Sequence, residues 1–546
     1  MSDISTILIA VSVAKLKDQG NALFVKKQYR EAYQKYTEAI KQDDKNAIIY
    51  ANRAACCLNL KKYMDAAKDA QLAVEIDPTY SKAWARRATA LNMIAQHEES
   101  LRCWKEALVT LQKENLTAAK LKQKEEYKAE FEAMRLKIEH MKAAPTEVGI
   151  QLKTENMPWV KAEAIIDSIR SRGFDAVTSS AYAILGANEE FKQGMSKMKL
   201  QKETNVPGVG VQISGVSGAL ENLSNAVMRD SRIFHIAEQN WIKMFNNQTR
   251  LECQMSKAWQ DGGAAYAIEQ AQKRHREEGF DGVRRALSVT IRSWLLLGFL
   301  EGGLRQIHAT QVEYMARAVE VLDWGRKKWR NVPTDDKGVI FIYSFYMGVR
   351  AMLMQAYMEA YADNPGPSSK FPPKLLRDEA QNFLREFEDI APPPGVVDPG
   401  FCSSFYVYPK GQAHALIAYA NAQMTRIAAS KKEEEEIVID YFNKAAQGYL
   451  EAASFYPQDD EQHVWYLNCA LDHLYVVGTT IADLLPVMER IRLAIPEMKK
   501  IWEFSQMSQN RDKALQKTLW VEEDIREGLL NGKFTMDVKI MPEQLK

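Results

Sequence analysis

Large and small apolar residues recur along the first 114 residues with a period of 34, in three segments: 13–46, 47–80 and 81–114. Position four of the unit holds Leu16, Tyr50 and Trp84, and position eight holds Gly20, Ala54 and Ala88. Position twenty holds Ala32, Ala66 and Ser100; position twenty-four holds Tyr36, Ala70 and Trp104; position twenty-seven holds Ala39, Ala73 and Ala107. Spacings of three, four and seven put these residues on one face of a helix. Two such stripes in each unit predict a pair of antiparallel helices, with small residues letting the backbones approach and large ones filling the space left. Pro78 follows the second stripe of the second unit, where it stops a helix.

Over residues 13–114 the pattern resembles the tetratricopeptide repeat family. It departs from that family at Asp44, where Pro is common, and at Ala70, where a larger residue is usual. Residues 115–142 read as one charged amphipathic helix, with Leu121, Tyr127, Phe131, Met134, Leu136 and Ile138 supplying its apolar side. Such a helix resembles the cap that hides the open end of these arrays. The expected fold is therefore all-α: a tetratricopeptide-repeat superhelix of three repeats plus a capping helix (1–142), a linker at 143–149 marked by Pro145 and Gly149, and a larger, mostly helical domain (150–546) of unknown role. The repeats with their cap are expected to fold alone.

In the large domain, helical periodicity is read at 159–170, 233–245, 286–300, 312–324, 340–361, 375–387, 413–427, 437–455 and 463–477. The stretches 203–218, 363–373 and 391–400 read as loops, and no alternating run is long enough to demand a sheet. Ala445, Tyr449, Ala452 and Pro457 repeat the spacing of a second repeat helix, so 437–477 is a candidate for further hairpin-style packing.

Charge adds a distinction that periodicity lacks. The whole chain carries 72 Lys plus Arg against 71 Asp plus Glu, which excludes a global field for nucleic acid or anionic membrane. Residues 1–142 alone hold 25 Lys plus Arg and 19 Asp plus Glu, so the repeats are the basic end. Polar residues on the inner face of an array are not needed for packing, so their identity is informative. Lys17 and Asn21 lie four apart on the first helix of repeat one, Asn52 on that of repeat two, and Lys82 and Arg86 four apart on that of repeat three. Stacked first helices bring these five residues to one concave groove, whose cations and amides suit a C-terminal carboxylate together with an Asp side chain.

That set resembles the dicarboxylate clamp of chaperone-binding tetratricopeptide domains. The resemblance implies a co-chaperone or adaptor that binds the acidic C-terminal tail (Glu-Glu-Val-Asp type) of heat-shock 70/90 chaperones. By position in the same family, Phe24 and Ala55 would line the pocket for apolar side chains upstream of the terminal Asp. The alternatives are a generic repeat scaffold for another peptide, or an enzyme whose catalytic residues lie in the large domain.

Little else points to chemistry. The eight His form no HExxH and no i, i+4 pair, and six Cys form no CxxC, so no metal, cofactor or catalytic residue is expected. The Gly-rich run 207–218 lacks the Lys-Ser/Thr that ends a phosphate loop, and the Trp324–Trp329 stretch reads as core before it reads as a nucleic-acid platform. Reduced thiols suit a cytoplasmic protein with no nucleic-acid or membrane partner. The apolar run 4–14 reads as a lead-in to the first helix, with a signal or anchor segment as the alternative. A client or second protein partner, not identifiable from the sequence, is expected for residues 150–546.

Overall fold

The computed structural model describes residues 2–94, 96–111, 117–143, 153–172, 178–206, 210–395 and 398–540. The expected linker therefore lies almost wholly outside the described residues. The chain divides into two compact units. The first gathers Met1–Val148, Lys257–Ile291 and Leu300–Lys337; the second gathers Gly149–Ser256, Arg292–Phe299 and Gly338–Lys546.

The repeats form α1 (Ser2–Val25), α2 (Tyr29–Gln42), α3 (Ala47–Asn59), α4 (Tyr63–Ile76), α5 (Ser81–Met93) and α6 (His97–Val109). The period of 34 extends to the backbone. Each first helix ends with an N–H reaching back five residues: Gln28 to the Leu23 carbonyl (3.0 Å), Lys62 to Cys57 (2.8 Å) and Gln96 to Leu91 (2.9 Å). Lys27 and Lys61 hold the left-handed conformation that this helix stop requires (φ 60° in both). Between the helices, volume is matched pairwise. Gly20 lies under the Tyr36 ring, where a Cβ would fall 2.6 Å from Cε1. Ser100, at a position otherwise Ala, is fully buried and donates to the Ala88 carbonyl (2.7 Å).

A buried ion pair ties α3 to α4. Arg53 donates two bonds to Asp69 (2.7 and 2.8 Å) and one to Thr37 Oγ1 (3.2 Å), with the rings of Tyr33 and Tyr50 5.3 and 5.6 Å from its guanidinium. A fully paired buried Arg is tolerated; removing either partner strands a charge in the core and costs about 3–5 kcal/mol.

The 4–14 run is helical and continuous with the first repeat helix inside α1, and Ile9 and Val11 on it are exposed. The cap, α7 (Ala118–Ala143), lays Tyr127, Phe131, Met134 and Ile138 on the third repeat. Leu121 and Leu136 do not join them: they are 52% and 47% exposed. The buried set steps by four, three and four. Leu136 falls two residues past Met134, about half a turn away, so helical phase excludes it.

The repeats share their unit with two later helical segments. Helix Ala264–Arg305 is interrupted at Gly279 (φ 68°, ψ −158°), a conformation open to glycine, and is followed by helix His308–Lys328. Docking on α4 is by exchanged helix caps. Asp65 of α4 accepts the N–H groups of Tyr266 (3.1 Å) and Ala265 (3.4 Å) at the start of the long helix. Gly263 makes room for it: a Cβ there would lie 2.5 Å from the Asp65 carboxyl carbon. Glu313 in turn accepts the N–H of Met64 in the first turn of α4 (3.1 Å), and Lys62 pairs with Glu320 at 2.5 Å. Each carboxylate meets orphan donors at a helix N-terminus, where the dipole favours negative charge. Contact thus groups 257–291 and 300–337 with the repeats, whereas the expected division after residue 142 follows the repeat pattern alone. Among the described residues, Ala264–Arg305 is also the helix long and apolar enough to cross a membrane, and 67% of its most apolar stretch is buried in the fold.

The second unit is helical, as expected, with two departures. Residues 203–218, expected as a loop, contain a hairpin: β1 (Lys202–Val206) pairs antiparallel with β2 (Gly210–Ser214), Thr204 opposite Gln212. Thr204, Val206, Val211 and Ile213 are β-branched, but five-residue strands are too short to stand out from the Gly and Pro around them. The helix expected over 233–245 starts only at Trp241. Asp230 diverts the chain before it, accepting the Arg232 N–H (3.0 Å) and holding a one-turn 3-10 segment, Ser231–Ile233. From Tyr408 onward, helices Tyr408–Ser430, Glu435–Ser454, Glu461–Val476, Ile481–Trp502 and Ser508–Leu530 pack successively against one another. Tyr449 and Ala452 are buried there against Ala415, Ala418 and Ala470, and Ala445 is buried as well.

Burial, the dominant cause, raises the Asp65 carboxyl to about 6 and that of Glu313 to about 7. A carboxyl whose folded value exceeds its unfolded one makes the folded state bind the extra proton, so it favours folding at low pH and loses that contribution as pH rises through the folded value. For Asp65 the window runs from 3.8 to about 6. Asp65→Asn keeps an acceptor for Tyr266 but no titration. The wild-type stability advantage over this variant should fall by about 1 kcal/mol per pH unit between pH 4 and 6 and be level above. Urea denaturation of the full chain across that range checks this; a level difference throughout would mean Asp65 titrates like an exposed carboxyl.

Candidate peptide-binding groove

The first helices α1, α3 and α5 stand side by side, and the polar residues singled out from the sequence meet along them. Asn21 Oδ1 accepts two hydrogen bonds, from the Tyr36 hydroxyl (2.7 Å) and from Asn52 Nδ2 (3.1 Å). Asn52 Oδ1 accepts from Arg86 Nη1 (3.4 Å). One polar chain, Tyr36–Asn21–Asn52–Arg86, therefore crosses three repeats. With Oδ1 of Asn21 accepting both bonds, no acceptor among the described residues takes the protons of its Nδ2. Burial raises the Tyr36 hydroxyl to about 12, so it remains a donor at any physiological pH.

Lys17 lies one turn before Asn21 on α1, and Lys82 one turn before Arg86 on α5. They share the faces of Asn21 and Arg86 without being drawn into the hydrogen-bonded chain. Among the described residues, none of Lys17, Lys82 and Arg86 is paired with a carboxylate. The neighbouring arginines differ: Arg53 is held by Asp69, and Arg87 by Glu99 at 3.3 Å. Phe24 is half-buried, edge-on to Tyr29 (5.2 Å between ring centres), and Ala55 is buried with its carbonyl accepting from Asn59.

Three contributors were not read from the sequence. Tyr36 was assigned to packing alone, although a Tyr over a Gly at the groove edge differs from a Phe by the hydroxyl that orients Asn21. Gln123 and Tyr127 of α7 reach the start of α5, Gln123 Nε2 lying 3.5 Å from Ser81 Oγ. Nothing within α7 marks those two residues, because the partner is on another helix.

Among the described residues no group of three or more His, Cys, Asp and Glu could hold a metal ion. The candidate site is an array of side-chain donors with surplus positive charge, on a scaffold of paired repeat helices. Comparisons with known proteins agree with the repeat. No protein-family model matches the chain. It is 40% identical over 124 residues to the small glutamine-rich tetratricopeptide repeat-containing protein 2 of Saccharomyces cerevisiae, covering 23% of this chain and 34% of that protein. It is 38% identical over 92 residues to the Hsp70-Hsp90 organizing protein 1 of Glycine max, covering 17% and 16%. Among solved structures, the second tetratricopeptide domain of Spaghetti, bound to the HSP90 peptide SRMEEVD, is 36% identical, covering 18% of this chain and 92% of that one, with a TM-score of 0.18. The chain spans between 16% and 34% of the length of these two curated relatives. Over its N-terminal repeats the chain is thus similar to tetratricopeptide-repeat proteins.

The ring that orients Asn21 rests on Gly20, which predicts a sign. Ala is the better helix former by about 1 kcal/mol. Overpacking against a fixed ring costs about 1–3 kcal/mol. Gly20→Ala should therefore be net destabilising, and Tyr36→Leu in the same chain should recover much of the loss. Chemical denaturation of the two variants beside the wild type decides; a more stable Gly20→Ala chain would show that the ring moves freely.

Proposed function

We propose that the protein is a non-enzymatic co-chaperone adaptor whose groove holds the acidic C-terminal tail of heat-shock 70/90 chaperones. The observation that carries the reading is that Lys17, Lys82 and Arg86 lie on the first helices with no carboxylate paired to them among the described residues, beside an asparagine chain that reaches Arg86. Unpaired cations set among donors are complementary to an acceptor-only partner, and a chain end with a terminal Asp supplies two carboxylates close together. Lys17, Asn21 and Asn52 on one side and Lys82 and Arg86 on the other divide that pair between them. Phe24 and Ala55 take the apolar side chain that precedes it. The names of the relatives, one of them an organizing protein for Hsp70 and Hsp90, support this ligand class.

The surplus of positive charge over 1–142 steers an acidic tail toward the groove. That steering weakens with salt, because charges beyond about 8–10 Å are screened. The six free cysteines suit a reducing compartment such as the cytoplasm. Residues 150–546 are the platform for a client or second protein partner.

Removing one partner of a desolvated charged pair costs about 2–5 kcal/mol. Lys82→Ala and Arg86→Ala should each weaken a labelled peptide ending in Glu-Glu-Val-Asp by at least about 30-fold, with helix content unchanged. The free acid should bind far more tightly than its C-terminal amide. Fluorescence-polarisation titration of the full chain measures both; equal binding of acid and amide would instead identify the groove as a site for internal peptide segments.

A further inference from the structure

The repeat pattern gives α7 the single task of covering the third repeat. Two of its residues, one turn apart, also face the groove side of α5. Gln123 Nε2 donates to the Tyr127 hydroxyl oxygen at 2.5 Å and lies 3.5 Å from Ser81 Oγ, the residue before Lys82. The Tyr127 ring is fixed from below: its centre is 5.4 Å from that of Trp104, and it packs on the apolar cluster that includes Met134 and Ile138. A hydroxyl on so constrained a ring has one free torsion, that of its own proton. Gln123 occupies its accepting side, and among the described residues no acceptor takes its O–H. Burial raises the pKa of this hydroxyl, so it keeps its proton, and Arg86 bears on it more strongly than Glu126 or Tyr80 taken singly. An oriented O–H within the influence of Arg86, held by a Gln that lies against Ser81, presents a donor near positive charge, and the side chain that answers with acceptors alone is a carboxylate.

We infer that Tyr127 is a specificity-determining residue of the groove, its hydroxyl donating to the side-chain carboxylate of an acidic residue upstream of the apolar one that precedes the clamped Asp, with Gln123 as the positioning residue that holds the hydroxyl in place. The inference rests on the reading of the groove as a C-terminal carboxylate site. The capping helix then reads a part of the ligand that the repeats do not, and selects among tails sharing the same last residue.

The test uses the full chain and two labelled peptides with the same free C-terminal Asp, one with Glu at the two upstream acidic positions and one with Ala there. Tyr127→Phe deletes only the hydroxyl and keeps the ring on Trp104. It should weaken the Glu peptide by about 10-fold, the usual scale for a hydrogen bond to a charged group, and leave the Ala peptide within about twofold. Gln123→Leu should show the same selectivity at smaller size. Equal weakening of both peptides would mean the hydroxyl serves only the fold, and no weakening of either would mean it does not touch the ligand; both results overturn the inference. Failure of the underlying reading looks different: the wild-type chain would bind neither peptide, or would bind the amidated Glu peptide as well as the acid.

Discussion

Every polar contact in the groove depends on how closely neighbouring first helices approach. Asn52 reaches Asn21 at 3.1 Å and is reached by Arg86 at 3.4 Å, across 31 and 34 residues of sequence. Side chains as short as Asn can bridge two helices only when the axes lie about 8–10 Å apart. Small residues permit that approach: Gly20, Ala51, Ala54, Ala85 and Ala88 are all buried between helices. The site is therefore a by-product of packing. The residues that hold the helices together set the distance at which five polar side chains can act as one.

The same packing decides which arginine is structural and which is available. Arg53 is position seven of repeat two and Arg86 position six of repeat three. One residue is a rotation of about 100° on a helix. At position seven the guanidinium turns into the core, where burial in an apolar medium demands a partner, and Asp69 provides it in bidentate form. At position six it stays half-exposed on the groove, where solvent can carry the charge. An identical side chain has opposite roles because the helix carries it to different dielectric surroundings.

This explains what could be read in advance. The repeats were legible because their signal is periodic over three units, and the five groove residues because polar positions on an inner face answer to no packing need. The cap was half legible: Tyr127, Phe131, Met134 and Ile138 keep helical phase, whereas Leu121 and Leu136 are apolar for no reason found in the packing. The hairpin at 202–214 escaped because its strands are shorter than the alternation needed to recognise them. The Arg53–Asp69 pair and the exchanged caps at Asp65 and Glu313 escaped for a deeper reason. Each joins residues whose individual types are unremarkable on a helix surface, and Asp65 and Tyr266 lie 201 residues apart. Local pattern carries no trace of a partner that far away.

Those long-range contacts give α4 a place the repeat pattern does not suggest. Asp65 and Asp69 lie four residues apart on it, both buried, and they look to different partners. Asp69 holds Arg53, the residue after Asn52 on the groove helix α3; Asp65 holds the first turn of helix Ala264–Arg305. The groove residues sit on first helices and the docking of the later segments is on a second helix, so the two use different helices of the array. A second helix in such an array ordinarily needs only an apolar stripe and a solvated back. Here the back of α4 carries carboxylate, ammonium and exposed N–H partners, each matched by a residue between 263 and 320. Buried polar contacts of this kind specify one docking geometry far more sharply than an apolar face would, because any shift in register leaves a charge or an N–H unsatisfied. The consequence is that the middle repeat, the one that contributes Asn52 to the centre of the groove, is tied to the later segments of its unit through Lys62, Met64 and Asp65.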